Sequence, residues 1–368
     1  MLSARARRWT APVAVAVVIG AGVGIGDALS ANASPPLPHK TAAALLAEVQ
    51  TAHVTGISGT VVQNADLGLP SLPSTNGGQG SSNLSSLITG SHTLRVWYAG
   101  PDKVRIALLG TLGESDVIRS GRDLWQWSST SNSASHTLLP ARMSGHHADA
   151  MPSQQGAMTP QQAANRALAA ISPSTKVSTA GTATVAGRPS YEMTLAPRDA
   201  RSLIGSVRIA IDSATHVPLR VQVYSKGSTV KPAFEVGFTH VSFAKPDASE
   251  FRFTPPAGAT VHSSTPGAHK RAPGARPEAR HGAGHAKPEV VGKGWTQVAI
   301  LHNVKLPAKI HGDGELATVM GSLPRVSGSW GSGMLLKSSL VSALFTNDGR
   351  LIVGAVAPDQ LYAAAAHR

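Results

Sequence analysis

The residues in this chain that could do chemistry are mainly its histidines and a scatter of serines and carboxylates. His146-His147, with Asp149 close behind, and His269, His281 and His285 carry imidazoles that suit Zn, Cu or Ni. Adjacent histidines on a loop define no geometry, and a stretch rich in Gly and Pro offers no preformed site. Solvated loop histidines are the plainer reading, and neither a metal nor any other cofactor is expected. Ser-His-Asp chemistry draws its members from scattered positions, so one sequence does not display it directly. No Gly-x-Ser-x-Gly elbow lies between a strand and a helix: Gly328-Ser329-Trp330-Gly331-Ser332-Gly333 has a different spacing and precedes a hairpin. A His-Glu-x-x-His pair, a phosphate loop and a dinucleotide fingerprint are all missing. The expectation is a protein that is not an enzyme.

Apolar binding is the chemistry that the side chains do favour. Trp125 and Trp127, two residues apart, fall on one face of a strand, with Leu124 and Gln126 on the other. Together with Trp97, Leu219, Val221, Val236, Phe238 and Phe253 they are candidates to line an apolar pocket. The same side chains would serve equally well as ordinary core.

The elements that would position them are mostly strands. Between Leu203 and Gly258 four short alternating stretches follow one another: Val207, Ile209 and Ile211 point one way against Arg208, Ala210 and Asp212, and Leu219, Val221 and Val223 repeat the pattern. The last of the four is read as Phe251-Arg252-Phe253-Thr254-Pro255-Pro256-Ala257-Gly258. Upstream, strands are expected over Ile57 to Ala65, His92 to Ala99, Lys103 to Leu109, Ser115 to Arg119, Leu124 to Ser128, from Val177, and over Tyr191 to Leu195. Two helices interrupt them. Thr41 to His53 has Leu45 and Val49 on one face and Thr41 as a cap, and a second begins at Thr159-Pro160 and runs to about Ile171. The expected class is α+β, with helices on one face of an antiparallel sheet. Such a sheet has more apolar face than two helices would hide.

Composition and the N-terminus bound the class and the partners. The 368 residues include no cysteine, so the domains hold by packing without disulfides. The formal net charge is +13, but the basic residues are dispersed and no recognition motif accompanies them, so nucleic acid is not an expected partner. Arg5, Arg7 and Arg8, the apolar run from Ala11 to Gly26, and Ala31-Asn32-Ala33 read as a signal peptide over residues 1–33. Its apolar run is short of the ~20 residues of a bilayer span, though an uncleaved anchor is the alternative.

Residues 261–290 read as a basic linker. From His262 to Glu289 there are five Lys/Arg and four His among Gly, Pro and Ala, which leaves nothing to build a core. Residues 291–368 then form a small second α+β domain. Trp295 to His302 is expected as a strand, Glu315 to Leu323 as a short helix, Met334 to Thr346 as one strand, and Asn347-Asp348-Gly349 as a hairpin turn into Leu351 to Val356. Pro358 to Ala366 closes as a helix.

In order of elements, residues 40–260 resemble the LolA/LppX/RseB lipoprotein-localisation group, in particular its actinobacterial LolA-like branch. The likeness is carried by the Thr41–Gln50 segment before Ile57–Val62, by Arg95-Val-Trp-Tyr98 with Pro101–Arg105, by Gly121–Trp127, and by Ile211–Arg220 with the closing Phe251–Gly258. The resemblance implies a curved antiparallel half-barrel sheet covered by helices, with a cavity between the concave sheet and the helical lid that holds the acyl chains of a lipid or lipoprotein, as carrier or sensor at the cell envelope. The competing expectation, also drawn from this group, is an RseB-like regulator whose C-terminal domain binds a membrane-bound anti-sigma factor or another envelope partner.

Overall fold

The computed structural model describes residues 37–68, 90–140, 159, 173–264, 288–304 and 323–366. The signal peptide, the loop histidines His146, His147, His269, His281 and His285, the helix from Pro160 onward, most of the linker, and the Glu315 to Leu323 helix but for its last residue lie outside them.

The first helix, α1 (Ala42–Thr51), starts where expected because the Thr41 hydroxyl accepts a hydrogen bond from the Ala44 N–H at 3.2 Å. Its buried residues, Leu45 and Val49, are one helical turn apart, so α1 lays a narrow apolar stripe on the sheet. Six strands follow: β1 (Ile57–Ala65), β2 (Gly90–Tyr98), β3 (Lys103–Gly110), β4 (Gly113–Ser120), β5 (Asp123–Ser128) and β6 (Ser133–Leu138). A second run comprises β7 (Thr175–Val185), β8 (Arg188–Pro197), β9 (Ile204–Asp212), β10 (Pro218–Ser225) and β11 (Phe234–Ser242), with β12 (Thr260–Ser264) after it.

The two runs join into one twelve-stranded sheet, ordered β12-β6-β5-β4-β3-β2-β1-β11-β10-β9-β8-β7. The seam is the antiparallel pairing of β1 with β11, which sets Val61 beside Phe238 and Gln63 beside Val236. The sheet coils strongly, so that β7 touches β11 although three strands lie between them, yet it does not close into a barrel. All its neighbours are antiparallel except β12, which adds to β6 in parallel.

The expected fourth strand of the last meander is not there. After β11 the chain makes a short 3-10 turn over Ala248–Phe251, runs on without strand pairing, and becomes β12 at the opposite edge. Phe251 and Phe253 alternate in sequence because both pack onto the sheet as a strap crossing it. Strand β12 also carries the folded chain into residues expected to be linker. Strand β6 was not expected, since Ser-Ala-Ser-His-Thr-Leu has little apolar alternation, and helix cover is thinner than expected: among the described residues α1 is the one α-helix on this sheet.

The C-terminal part builds a second sheet from β13 (Glu289–Val291), β14 (Val298–Leu301), β15 (Arg325–Gly328), β16 (Gly331–Lys337), β17 (Ser342–Thr346) and β18 (Leu351–Gly354). Its order is β13-β14-β18-β17-β16-β15. Helix α2 (Pro358–Ala366) packs on β17 and β18 and buries Leu361, Ala364 and Ala365 against Val298, Ile300, Leu335, Leu344, Ile352 and Val356. The stretch from Met334 to Thr346 is two strands. Ser338 breaks it: its N–H and hydroxyl both donate to the Val341 carbonyl, at 2.9 and 2.8 Å, and its oxygen accepts from the Val341 N–H at 3.0 Å.

Candidate functional site

Cross-strand register decides which side chains share a face, because successive residues of a strand alternate between faces. Leu94 lies opposite Val61 and Leu108, Val236 opposite Val221, Val221 opposite Ile209, and Ile209 opposite Met193. These residues belong to one continuous buried cluster with Leu45 and Val49 of α1. Leu219, Val221, Val236 and Phe238, four of the eight residues expected at the site, are in it.

The other four are on the opposite face. Trp97 lies opposite Arg105, Arg105 opposite Ile118, and Ile118 opposite Trp125. Trp127 shares that face two residues on, and Phe253 reaches it from the strap, 5.3 Å from the Trp125 ring and 6.2 Å from the Trp127 ring. Thus the structure brings the eight residues together as two groups on either side of one sheet, and no single pocket holds both.

The outer group is a half-exposed, cation-rich aromatic patch. The Arg95 and Arg105 guanidinium groups approach the Trp97 ring at 5.6 and 5.0 Å. Arg105 also forms a two-point pair with the buried Asp116 at 3.2 and 3.0 Å and reaches Glu114 at 3.6 Å and Glu250 of the strap at 3.8 Å. Burial and the neighbouring Asp116 push the Glu114 carboxyl above its ordinary range, with Arg105 and Arg95 opposing. His136 stacks on Trp125 at 4.3 Å and contacts Asp123 at 2.7 Å. The aromatic faces here are largely taken by protein, so this side reads as the bed of the strap.

The inner face is a different surface. It is apolar from β1–β3 through β7–β11, interrupted by Gln63 and His92, which lie directly opposite each other and are both buried. Sequence reading passed over that pair, because neither residue stands out until the β1–β2 register puts them side by side. At one end of this face a polar latch holds α1. The Lys40 ammonium contacts Glu48 at 2.7 Å and lies 5.1 Å from the centre of the Tyr191 ring, and the Glu48 carboxylate is 3.5 Å from the His216 imidazole. His216 sits in the β9–β10 turn, with φ of 58°.

That turn is fixed from beneath. Burial pushes the Asp212 carboxyl up, but the Arg188 guanidinium, at 2.6 and 2.9 Å, and the Thr215 hydroxyl and N–H, both at 2.8 Å, outweigh it and hold the carboxyl below its usual value. Arg188 in turn lies over the Phe243 ring at 4.8 Å.

Chemically, the inner face offers apolar packing and little directional bonding. Its buried polar groups are few, and among the described residues no group of three His, Asp or Glu is placed to bind a metal.

No family model matches the chain, and no curated protein sequence matches it. Solved structures similar to it include the complex of MucA with MucB from Pseudomonas aeruginosa, at 16% identity over 88% of this chain and 96% of that one, with a TM-score of 0.41. An uncharacterized conserved protein from Thermus thermophilus is 11% identical over 60% of this chain and 97% of its own, with a TM-score of 0.34. A LolA superfamily protein from Nitrosomonas europaea is 10% identical over 58% and 99%, with a TM-score of 0.23. Likenesses at these scores bear on neither the ligand nor the task of the chain.

Proposed function

We propose that this is an exported, non-enzymatic binding protein that holds the acyl chains of a lipid or lipoprotein against the inner face of the large sheet, as a carrier or sensor at the cell envelope. The observation that carries the reading is the face itself. An apolar surface continuous from β1–β3 through β7–β11 is covered, among the described residues, by one ten-residue helix with two buried side chains and by side chains from outside the strands, among them Leu67, Trp295, Leu340 and Val341. Each methylene of a chain buried there gains ~0.8 kcal/mol, so an acyl chain is retained without any directional contact. In this reading Leu219, Val221, Val236 and Phe238 are the floor, α1 is part of the lid, and Trp97, Trp125, Trp127 and Phe253 support the sheet from behind. Residues 40–260 are the binding unit and residues 291–368 an accessory domain, joined by the basic linker. The presence of a second sheet docked beside the first favours one further reading, in which that sheet engages a membrane-bound envelope partner.

Native mass spectrometry of the full chain, purified from membrane-containing lysate, tests the first reading. A co-purifying lipid or acylated peptide is the expected result. A bare protein mass after gentle extraction, together with no uptake of an added fatty acid, would overturn it.

A further inference from the structure

One leucine of the small sheet is out of place. Leu340, in the turn between β16 and β17, is 1% exposed, yet its burial is in the core of the large sheet and not in the core of its own unit. Its neighbour Val341 and Trp295, just before β14, pack against the same cluster. The Ser338 bonds that brace the turn are all local, so the turn presents Leu340 as a preformed finger.

Three ties hold the finger and its sheet in place. The Ser339 N–H donates to the Leu67 carbonyl at 2.7 Å, just past β1. The Leu203 N–H, just before β9, donates to the Ala355 carbonyl at 2.8 Å, beside an isolated bridge between Ser202 and Val356. The Trp295 indole N–H donates to the Thr175 hydroxyl at 2.7 Å, at the start of β7. The end of β1 and the starts of β7 and β9 are all at one end of the curved sheet, since the strands between them are antiparallel. The finger therefore enters the inner face from that open end, opposite the Glu48–His216 latch on α1.

We infer that Leu340 is an internal stopper that occupies the place of the ligand's apolar chain, so that an acyl chain and the docked C-terminal sheet compete for the same floor. This rests on the acyl-binding reading above and deepens it. The argument is one of shared chemistry: Leu340, Leu45 and Val49 are buried side chains brought to this face from outside the sheet, and a hydrocarbon chain is the ligand that substitutes for a leucine without leaving a polar group unpaired. Competition of this kind is reciprocal. A docked finger lowers apparent affinity by the fraction of molecules in which the floor is free, and a bound chain loosens the finger by the same factor. Ligand entry would then be felt at Leu203 and Ser202 and across the small sheet, which gives the accessory domain a way to report occupancy.

The test uses the full chain and 11-dansylaminoundecanoic acid, a fluorescent acyl probe. Leu340→Ser is expected to bind the probe about tenfold more tightly than the wild type, because the stopper no longer competes. Amide exchange of the wild type is the second measurement, and it does not depend on the variant folding. Saturating probe is expected to speed exchange at Ser339 and Leu203, whose N–H groups make the inter-sheet bonds, while leaving the centre of β17 protected. If the wild type binds the probe but exchange at those amides is unchanged, and Leu340→Ser binds no more tightly, the stopper is overturned and the acyl-binding reading stands. If neither protein binds the probe, both fall.

Discussion

Replacing Asp212 by Asn should loosen α1 on the inner face from a distance. The Asp212 side chain is 1% exposed and accepts four hydrogen bonds, two from Arg188 and two from Thr215. Asparagine keeps the size but removes the charge, so Arg188 loses its ionic partner and one of its two oxygen acceptors. Breaking a buried pair costs ~3–5 kcal/mol, but the Arg188 side chain is 32% exposed and recovers hydration, so about 2–3 kcal/mol is the expected loss. Urea unfolding followed by tryptophan fluorescence reads this as a lower midpoint with an unchanged slope. The pH dependence gives the sign. The folded carboxyl is held below its ordinary value, so its contribution is complete above about pH 4, the unfolded value, and is lost as the pH falls through the folded value. The gap between wild type and variant should therefore be widest near neutrality and shrink below about pH 4. Because the Asp212 carbonyl also accepts the His216 N–H at 3.0 Å, the loosened turn should release Glu48, and amide exchange in α1 should rise. A gap that persists unchanged at pH 2.5, or one under about 0.5 kcal/mol at neutral pH, would refute the clamp.

Three further outcomes follow from the packing. Phe251→Ala should cost ~3–5 kcal/mol and free the strap, shifting the emission of Trp125 and Trp127, because Phe251 is 1% exposed where the strap crosses the outer face. Arg105→Met should destabilise by ~2–4 kcal/mol in thermal unfolding, since the buried Asp116 loses both its bonds, and Arg105→Lys should rescue little, because a lysine has no planar fork. Gly59→Ala should cost ~1–3 kcal/mol in the same assay: an added Cβ would sit 2.2 Å from the His240 carbonyl oxygen and 2.9 Å from the Phe238 ring, at the irregularity in the β1–β11 seam.

Local pattern made much of the sheet legible. The alternation of β9, β10 and β11 could be read because one face of each is buried, and α1 because Thr41 caps it and Leu45 and Val49 are four apart. What failed to show had physical reasons. The turn at Ser338 is built by a side-chain hydroxyl instead of by Gly or Pro, and the apolar Leu340-Val341 that follows disguises it as continuing strand. Phe251 and Phe253 have the period of a strand because they pack across strands. The candidate site was half legible: each residue was placed on an apolar or aromatic face, but the faces of different strands are related only through register. Register is a long-range property, and it separates Trp97, Trp125 and Trp127 from Leu219, Val221, Val236 and Phe238.

The β1–β11 seam makes one inner face out of two chain segments. Strands β1–β6 form one meander and β7–β11 another, and neither alone has a concave apolar surface of this extent. The seam runs from Ser58 beside Ser242 to Ala65 beside Phe234, and two residues beyond Ala65 the Leu67 carbonyl accepts the Ser339 N–H. At its end, then, the junction that creates the floor is also the junction that seats the finger. A shift of β1 against β11 would move Phe238 and Val236 on the floor and Leu67 under the finger together. On the acyl-binding proposal, a chain lying along the seam would act on both, and a surface with no directional contacts to its ligand would in this way still pass on that it is occupied.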